Sequence, residues 1–185
     1  MATDRRTLLA DAALDVLADE GMRGLTHRAV DRRADLPTGT TSAYYRTRAA
    51  LLTALVTRLV HLDQTELQTA AEQFPSIRTA DELVADLVLL TRQRLTGQGR
   101  RRSLARHACA VESVRDPELR EILVPRENAG REAVRLFLAG HGVEDVEGRT
   151  HTLLTCVDGL VFDRLVSGGE VRPEELEGLV AAALR

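Results

Sequence analysis

Apolar residues recur along the chain at the three- and four-residue spacing of amphipathic helices, without the alternation typical of strands. The first such stretch covers residues 3–20 and ends at Gly21 and Gly24. Three acids on this helix, Asp11, Asp15 and Asp19, form a stripe that we expect to be solvated. The pattern predicts an all-α protein.

Further helices follow after residue 48, separated by glycine- and proline-containing breaks. The predicted ranges are 49–73, ending near Phe74 and Pro75, then 79–95, 103–114, 117–138, 146–166 and 173–184. Gly97 and Gly99 place the Arg100–Arg102 run in a break. We interpret this run as a solvated loop, with contact to DNA or to an acidic partner as the alternative.

Residues 26–48, between the first helix and the long one, predict a helix, a tight turn and a second helix. Thr26 is a suitable N-cap, and Asp35 tolerates the left-handed backbone of a turn. Proline is favoured at the first helical position, so the second helix is predicted to begin at Pro37. Its exposed side chains are predicted to be small: Thr38, Gly39, Thr40, Thr41, Ser42 and Ala43.

The charge distribution favours nucleic-acid binding by this segment. Residues 23–48 hold six arginines and two acids, a local net charge of +4, whereas the whole chain carries −3. A basic island in an acidic chain is typical of a surface that meets phosphates. The alternative is a helical hairpin whose arginines are simply solvated.

Residues 7–55 resemble the DNA-binding domain of the TetR family of bacterial transcriptional regulators. The resemblance lies in Gly21, the helix Leu25-Thr26-His27-Arg28-Ala29-Val30, the turn Ala34-Asp35-Leu36, the segment from Pro37 to Tyr44-Tyr45, and Thr47-Arg48 before Leu51-Leu52. Three positions depart from the family pattern: Asp35 replaces a turn glycine, Ser42 a common tyrosine, and Ala49 a common acid.

The resemblance implies a three-helix DNA-binding domain over residues 1–47 and a larger helical effector-binding and dimerisation domain over 48–185. Arg28 is long enough for a guanine edge or a phosphate, and Ala43 can touch a thymine methyl. Tyr45 is expected to pack inside. The implied DNA-binding residues are Thr26, Arg28, Thr38, Gly39, Thr40, Ser42, Ala43, Tyr44 and Arg48.

The last two predicted helices indicate a homodimer. The penultimate helix is apolar on more than one side and therefore needs two neighbours, either within one chain or across a dimer. In TetR regulators the last two long helices pair with their copies, and two recognition helices read a palindrome. The residues predicted for the interface are Leu153, Val157, Leu160, Val161, Leu176, Leu179, Val180 and Ala183.

The middle of the chain is where TetR regulators usually bind a small molecule. Polar residues within apolar helices are the candidate contacts: His61, Gln64, His107, Cys109, Glu112 and Asp158. For each, surface placement or a satisfied core hydrogen bond is the alternative. A mostly apolar effector with few polar groups is expected.

Other classes of function find little support. The pairs His107/Cys109 and His151/Cys156 do not share a helical face, and no metal-site spacing or phosphate-binding loop is present. We therefore expect no enzyme, cofactor or metal, although a cysteine redox switch stays open. Two cysteines and the absence of a long apolar run favour a cytoplasmic protein without membrane contact.

We therefore expect a homodimeric repressor that binds a palindromic double-stranded operator and is released by a small-molecule effector. An effector-independent DNA-binding regulator, or an activator, is the alternative.

Overall fold

The structure, a computed structural model, describes residues 4–73, 77–123 and 128–185. Within these residues the chain forms ten helices and no strand, so the all-α prediction is confirmed. The helices are α1 Arg5–Gly24, α2 His27–Arg33, α3 Thr40–Tyr44, α4 Arg48–Gln73, α5 Ala80–Leu95, α6 Gly97–Ser113, α7 Pro117–Leu123, α8 Ala129–Gly140, α9 Val146–Ser167 and α10 Pro173–Ala183. The predicted helix end at Phe74 and Pro75 lies outside the described residues.

The chain divides into two compact units. The first unit comprises Met1–Asp63 and Arg101–Pro125, and the second unit comprises Gln64–Arg100 and Arg126–Arg185. Helices α4 and α6 each contribute residues to both units. The domain boundary predicted after residue 47 stays a prediction.

The core of the first unit is built mainly from the apolar stripes of α1 and α4. Leu9 and Val16 of α1 are fully buried, and so are Leu55 and Leu59 of α4. These positions are spaced by four or seven residues, which puts them on one face of each helix. Burial of each such side chain stabilises the unit by roughly 1.5–3 kcal/mol.

The acidic stripe on α1 is only partly solvated, because its carboxylates pair with arginines, and this corrects the prediction of a purely solvated face. Arg58 of α4 donates to Asp11 at 2.7 Å. Arg101 pairs with Asp15 at 3.0 Å and with Asp19 at 2.7 Å. The hydrogen bond from Arg101 lowers the pKa of the Asp19 carboxyl. The arginine run therefore does not form a solvated loop: it lies in α6, and Arg101 meets acids of its own chain.

Helix α6 begins earlier than predicted, at Gly97 instead of residue 103. A Cβ atom on Gly99 would lie 1.9 Å from the carbonyl oxygen of Gln93, so only glycine fits this tight junction between α5 and α6. The two glycines that were expected to break the chain thus form the first turn of a helix.

In the second unit, α5, α8, α9 and α10 enclose a separate core. Leu83, Leu138, Leu153 and Leu176 are among its buried residues, each at most 2% exposed. The predicted helix 117–138 is wrong in extent, because Asn128 has an extended backbone (φ −152°) and α8 begins after it, at Ala129. The Asn128 side chain caps α8 by accepting from the Arg131 amide at 2.9 Å.

Candidate functional site

Helix α2 begins and ends where its local sequence predicts. The Thr26 hydroxyl accepts from the Ala29 amide at 3.2 Å and caps the helix. Asp35 follows the helix with φ +53°, the left-handed conformation expected for the turn. Aspartate adopts this conformation at lower cost than bulky or β-branched residues.

Helix α3 is shorter than predicted and begins at Thr40 instead of Pro37. Gly39 has φ +96°, which is incompatible with a right-handed helix, so Pro37 and Thr38 belong to the preceding turn. The Thr40 amide donates to the Pro37 carbonyl at 3.1 Å and closes this turn. A side chain at position 39 would strain the backbone.

The carboxylate of Asp31, on α2, holds the N-terminus of α3. One oxygen accepts from the Gly39 amide at 2.7 Å, and the other accepts from the amide and hydroxyl of Thr41 at 2.7 and 2.5 Å. Burial tends to raise the pKa of Asp31, but the hydrogen bonds from Thr41 and Gly39 outweigh it and the pKa is lowered. The charged form is therefore the one that positions α3.

The other end of α3 is held by His27, also on α2. Its Nε2 atom lies 2.7 Å from the Tyr45 carbonyl oxygen, which accepts a hydrogen bond from the ring. Tyr45 is buried, as predicted, and its hydroxyl donates to the Arg6 carbonyl at 3.2 Å. Sequence reasoning missed both Asp31 and His27 as positioning residues. Their signal is weak, since each acts on backbone at least eight residues away.

The outer face of α3 and its turn is exposed and small. Thr38, Gly39, Ser42 and Ala43 are exposed, and Tyr44 is 39% exposed.

Two threonines of the same segment are less exposed than predicted. Thr41 is fully buried against Asp31, which corrects its predicted exposure. Thr40 is half-buried, and its hydroxyl donates to the Pro37 carbonyl at 2.6 Å. The exposed surface of the helix is therefore narrower than the sequence suggested.

The arginines of this segment differ in whether they pair with acids of the same chain. Arg32 and Arg33 pair with Glu20 and Asp19 of α1, at 3.9 and 2.7 Å. Arg28 is exposed and has no hydrogen-bond or ion-pair partner within the described part of the chain. It is therefore available to an external anion.

Arg48 lies at the start of α4, where Thr47 caps the helix by accepting from the Ala50 amide at 3.0 Å. The Arg48 guanidinium is exposed and donates to the Met22 carbonyl at 2.6 Å. This hydrogen bond fixes the orientation of the guanidinium, whose other N–H groups remain available as donors. Thr26 is also exposed, at the positive end of α2.

The second unit contains a cavity of about 520 Å³ between α4, α5, α8 and α9. Its wall is mostly apolar and includes Leu67, Leu83, Leu87, Val134 and Leu154. A volume of this size lies within the range of about 300–1,000 Å³ that small-molecule sites occupy.

Asp158 is the residue of the predicted effector set that lines this cavity. Gln64 lines an adjoining pocket of about 450 Å³, which shares Thr65, Thr69, Asn128 and Ala129 with the cavity. His61, His107, Cys109 and Glu112 belong to the first unit and line neither space.

Cys109 in particular is corrected by the structure. Its side chain is fully buried in the core of the first unit, and burial raises the pKa of the thiol to about 12. Cys109 therefore does not line the cavity of the second unit, and a buried thiol with a raised pKa is poorly reactive.

Asp86 and Arg94 of α5 also line the cavity, and sequence reasoning missed them. The position of Asp86 could have been predicted from the sequence, because it lies three residues after Leu83 and therefore on the apolar side of its helix.

Six of the eight residues predicted for the dimer interface are buried inside their own chain, which corrects the prediction. Periodicity identified the apolar face of each helix, and in this structure that face packs within the second unit. Leu160 and Leu179 are half-buried. The six buried residues are Leu153, Val157, Val161, Leu176, Val180 and Ala183, each at most 6% exposed.

A different face of α9 and α10 is left exposed. Phe162 and Val166 are 51% and 74% exposed, and they share one side of α9 with Thr155 and Gly159. Gly178 lies on the exposed side of α10. None of the described helices combines the length and apolarity needed to cross a membrane.

A short helix with a small exposed face, held against a second helix across a tight turn, defines a helix-turn-helix protein. The all-helical second unit with its apolar cavity narrows the class further. Residues 78–185 match the family model described as Tetracyclin repressor-like, C-terminal domain. The chain thus belongs to the TetR family of transcriptional regulators, as the resemblance over residues 7–55 indicated.

Solved structures share the same fold over nearly the whole chain. A transcriptional regulator from Rhodococcus sp. Rha1 is 26% identical with a TM-score of 0.76, covering 97% of this chain and 94% of the other. A TetR family member from Streptomyces coelicolor A3 is 23% identical with a TM-score of 0.73, covering 99% of both chains.

The multidrug binding protein EbrR, in complex with imidazole, is also similar. It is 22% identical with a TM-score of 0.70, and the match covers 99% of this chain and 96% of EbrR. No curated protein sequence matches the chain significantly.

Proposed function

We propose that this protein is a cytoplasmic homodimeric repressor that binds a palindromic operator and leaves it when a small molecule occupies the second unit. The observation that carries the proposal is the outer face of α3. Ser42 and Ala43 give this face small exposed side chains, while Thr41 and Tyr45 hold the helix to α2. A helix held this way can enter a major groove without rearranging.

In the proposed complex Arg28, Ser42 and Ala43 lie at base edges, and Thr38, Gly39 and Thr40 allow the backbone to approach closely. Arg28 supports this role because its guanidinium is exposed and has no partner in the described chain. An arginine can donate two hydrogen bonds to one guanine.

The phosphate contacts are assigned to Thr26, Tyr44 and Arg48. Thr26 lies where the amides of α2 begin, a position that favours an anion. The Arg48 guanidinium is oriented by the Met22 carbonyl. Such contacts add affinity without sequence preference.

The dimer is proposed to form through the exposed face of α9 and α10. Phe162 and Val166 offer apolar area there, and the glycines at 159 and 178 let a second helix approach closely. One α3 helix reads too few base pairs to select a genomic site, whereas two copies spaced by about 34–36 Å read successive major grooves.

The effector is proposed to bind in the 520 Å³ cavity. Its apolar wall supports a small organic ligand, and similarity to a protein named as multidrug binding supports the same assignment. Release from DNA requires the ligand to bind one arrangement of the dimer more tightly than the other.

Selection of bound duplexes from a random library tests the DNA-binding part of the proposal. The expected outcome is a palindrome whose half-sites are one helical turn apart. Ser42→Asp should abolish enrichment because it places a negative charge on the face directed at DNA. Thr57→Asp, at an exposed position of α4, is the matched control. Failure to enrich any sequence would contradict the proposal.

Repression is then distinguished from activation by a reporter gene placed behind the selected operator. Expression should rise when the protein is deleted, and compounds that restore expression in its presence identify the effector. Lower expression on deletion would instead favour an activator, and the lack of any responsive compound would favour an effector-independent regulator.

A further inference from the structure

Asp86 is a half-buried carboxylate in the wall of the apolar cavity. It lies three residues after Leu83 and immediately before Leu87, and those leucines are 1% and 4% exposed. Among the residues that the structure describes, no side chain or amide hydrogen-bonds to Asp86 or forms an ion pair with it. A carboxylate in an apolar wall is normally paired, and the described residues give Asp86 no partner.

The other charged groups at the cavity do not supply the missing partner. Arg94 donates to Asp158 at 2.5 Å, and Arg131 pairs with Glu147 at 3.1 Å. Both cations are thereby balanced by acids of their own. Neither cation therefore neutralises Asp86.

The surroundings of Asp86 oppose its ionisation. Burial raises the pKa of its carboxyl, and the nearby charge of Glu82, one turn earlier on α5, raises it further. Glu82 is committed to the N-terminus of the helix, where it accepts from the amides of Arg78 and Thr79 at 2.7 and 3.0 Å. A positive group in the cavity relieves both effects, because it attracts the charged form of Asp86. Carboxylates in this condition concentrate at binding sites.

We infer that the cavity selects organic cations, with the apolar part of the ligand against Leu83, Leu87 and Val134 and the ammonium group against Asp86. This inference rests on the proposed function, since it names the chemical class of the effector. The combination of an apolar wall and one unbalanced carboxylate suits a monocation with a hydrophobic body. An anion or a strongly polar neutral compound is disfavoured by the same surface.

Two probes of the same shape separate charge from fit. Trimethylphenylammonium is a permanent cation, and tert-butylbenzene is its uncharged isostere. Titration of the full-length protein with each probe, followed by NMR or calorimetry, measures both affinities in the wild type and in Asp86→Asn. The expected result is a loss on the order of tenfold in affinity for the cation, with the neutral probe unchanged.

Asp81→Asn is the matched control, because Asp81 is exposed on the first turn of the same helix and does not line the cavity. Asp86→Leu provides a second variant and should bind the neutral probe at least as tightly as the wild type. Both Asp86 variants should keep the wild-type unfolding midpoint or exceed it, since they remove an unbalanced charge.

Equal losses for the two probes in Asp86→Asn, or no loss for the cation, would overturn the inference. The inference would also be overturned if neither probe bound to the wild-type protein. The titrations contain no DNA, so failure of operator binding, which would sink the proposed function, is measured separately and does not affect this result.

Discussion

Replacing Asp31 with asparagine tests whether α3 depends on α2 for its position. Asp31 is 2% exposed and accepts three hydrogen bonds from Gly39 and Thr41. Asparagine keeps one oxygen, which can still accept from Thr41. Its NH₂ group then faces the Gly39 amide, and two donors cannot form a hydrogen bond with each other. One charge-assisted hydrogen bond is lost and two are weakened.

The magnitude follows from these contacts. A hydrogen bond to a charged group contributes about 1.5–3 kcal/mol and a neutral one about 0.5–1.5 kcal/mol, so one lost bond and two weakened ones should together cost roughly 3.5–6 kcal/mol. A five-residue helix is too short to be stable alone, so the loss falls directly on α3. We expect a lower urea midpoint and DNA affinity reduced at least on the order of tenfold.

The pH dependence of the folding stability provides a second test of the role of Asp31. The pKa of Asp31 is lowered from 3.8 in the folded protein, so its stabilisation is fully present above that value and is lost as the pH falls through the folded pKa. Asp31→Asn should therefore lose less stability than the wild type on acidification below pH 3.8.

Asp35→Asn is the matched control for both measurements. It makes the same chemical change four residues away, at an exposed position whose left-handed backbone asparagine also tolerates. Urea titration by circular dichroism and fluorescence anisotropy with the selected duplex measure stability and affinity. If the two variants behave alike in both assays, Asp31 does not position α3.

The remaining predictions concern the bases, the dimer and the core. Arg28→Ala should change sequence preference at one base pair, whereas Arg48→Ala should weaken all duplexes alike and reduce the salt dependence of binding; similar effects from both would contradict the roles assigned to them. Phe162→Arg should yield folded monomers in sizing measurements, whereas Val180→Arg should unfold the chain because that side chain is 1% exposed, and a folded Phe162→Arg dimer would exclude this face. Cys109, whose thiol pKa is about 12, should resist a thiol reagent at neutral pH until urea unfolds the protein, and rapid labelling of the native protein would refute its burial.

Local features of the chain were predictable because their causes lie within a few residues. Thr26 and Thr47 cap the helices that follow them, and Asp35 occupies the left-handed turn. In each case a side chain acts on backbone within four residues, or on its own, so no knowledge of packing is needed. The same holds for the all-α class, which depends on apolar spacing alone.

Features that depend on distant partners were missed or wrong. The start of α3 depends on Gly39 and on Asp31, eight residues earlier. Arg101 meets Asp15 across 86 positions, which no helical spacing indicates. The start of α8 depends on the cap that Asn128 provides.

The sequence alone decided that this chain is helical, that residues 26–48 form a helix-turn-helix segment, and that it resembles TetR regulators. Tertiary structure decided which apolar faces are covered. Periodicity marks a face as apolar but does not identify its neighbour. For that reason Val157 and Val180 were predicted to meet a second copy of the chain, while the structure packs them in their own core and leaves Phe162 exposed. For the same reason, the role proposed for Asp86 could not be predicted from the sequence. It depends on a cavity that forms only when α4, α5, α8 and α9 pack together.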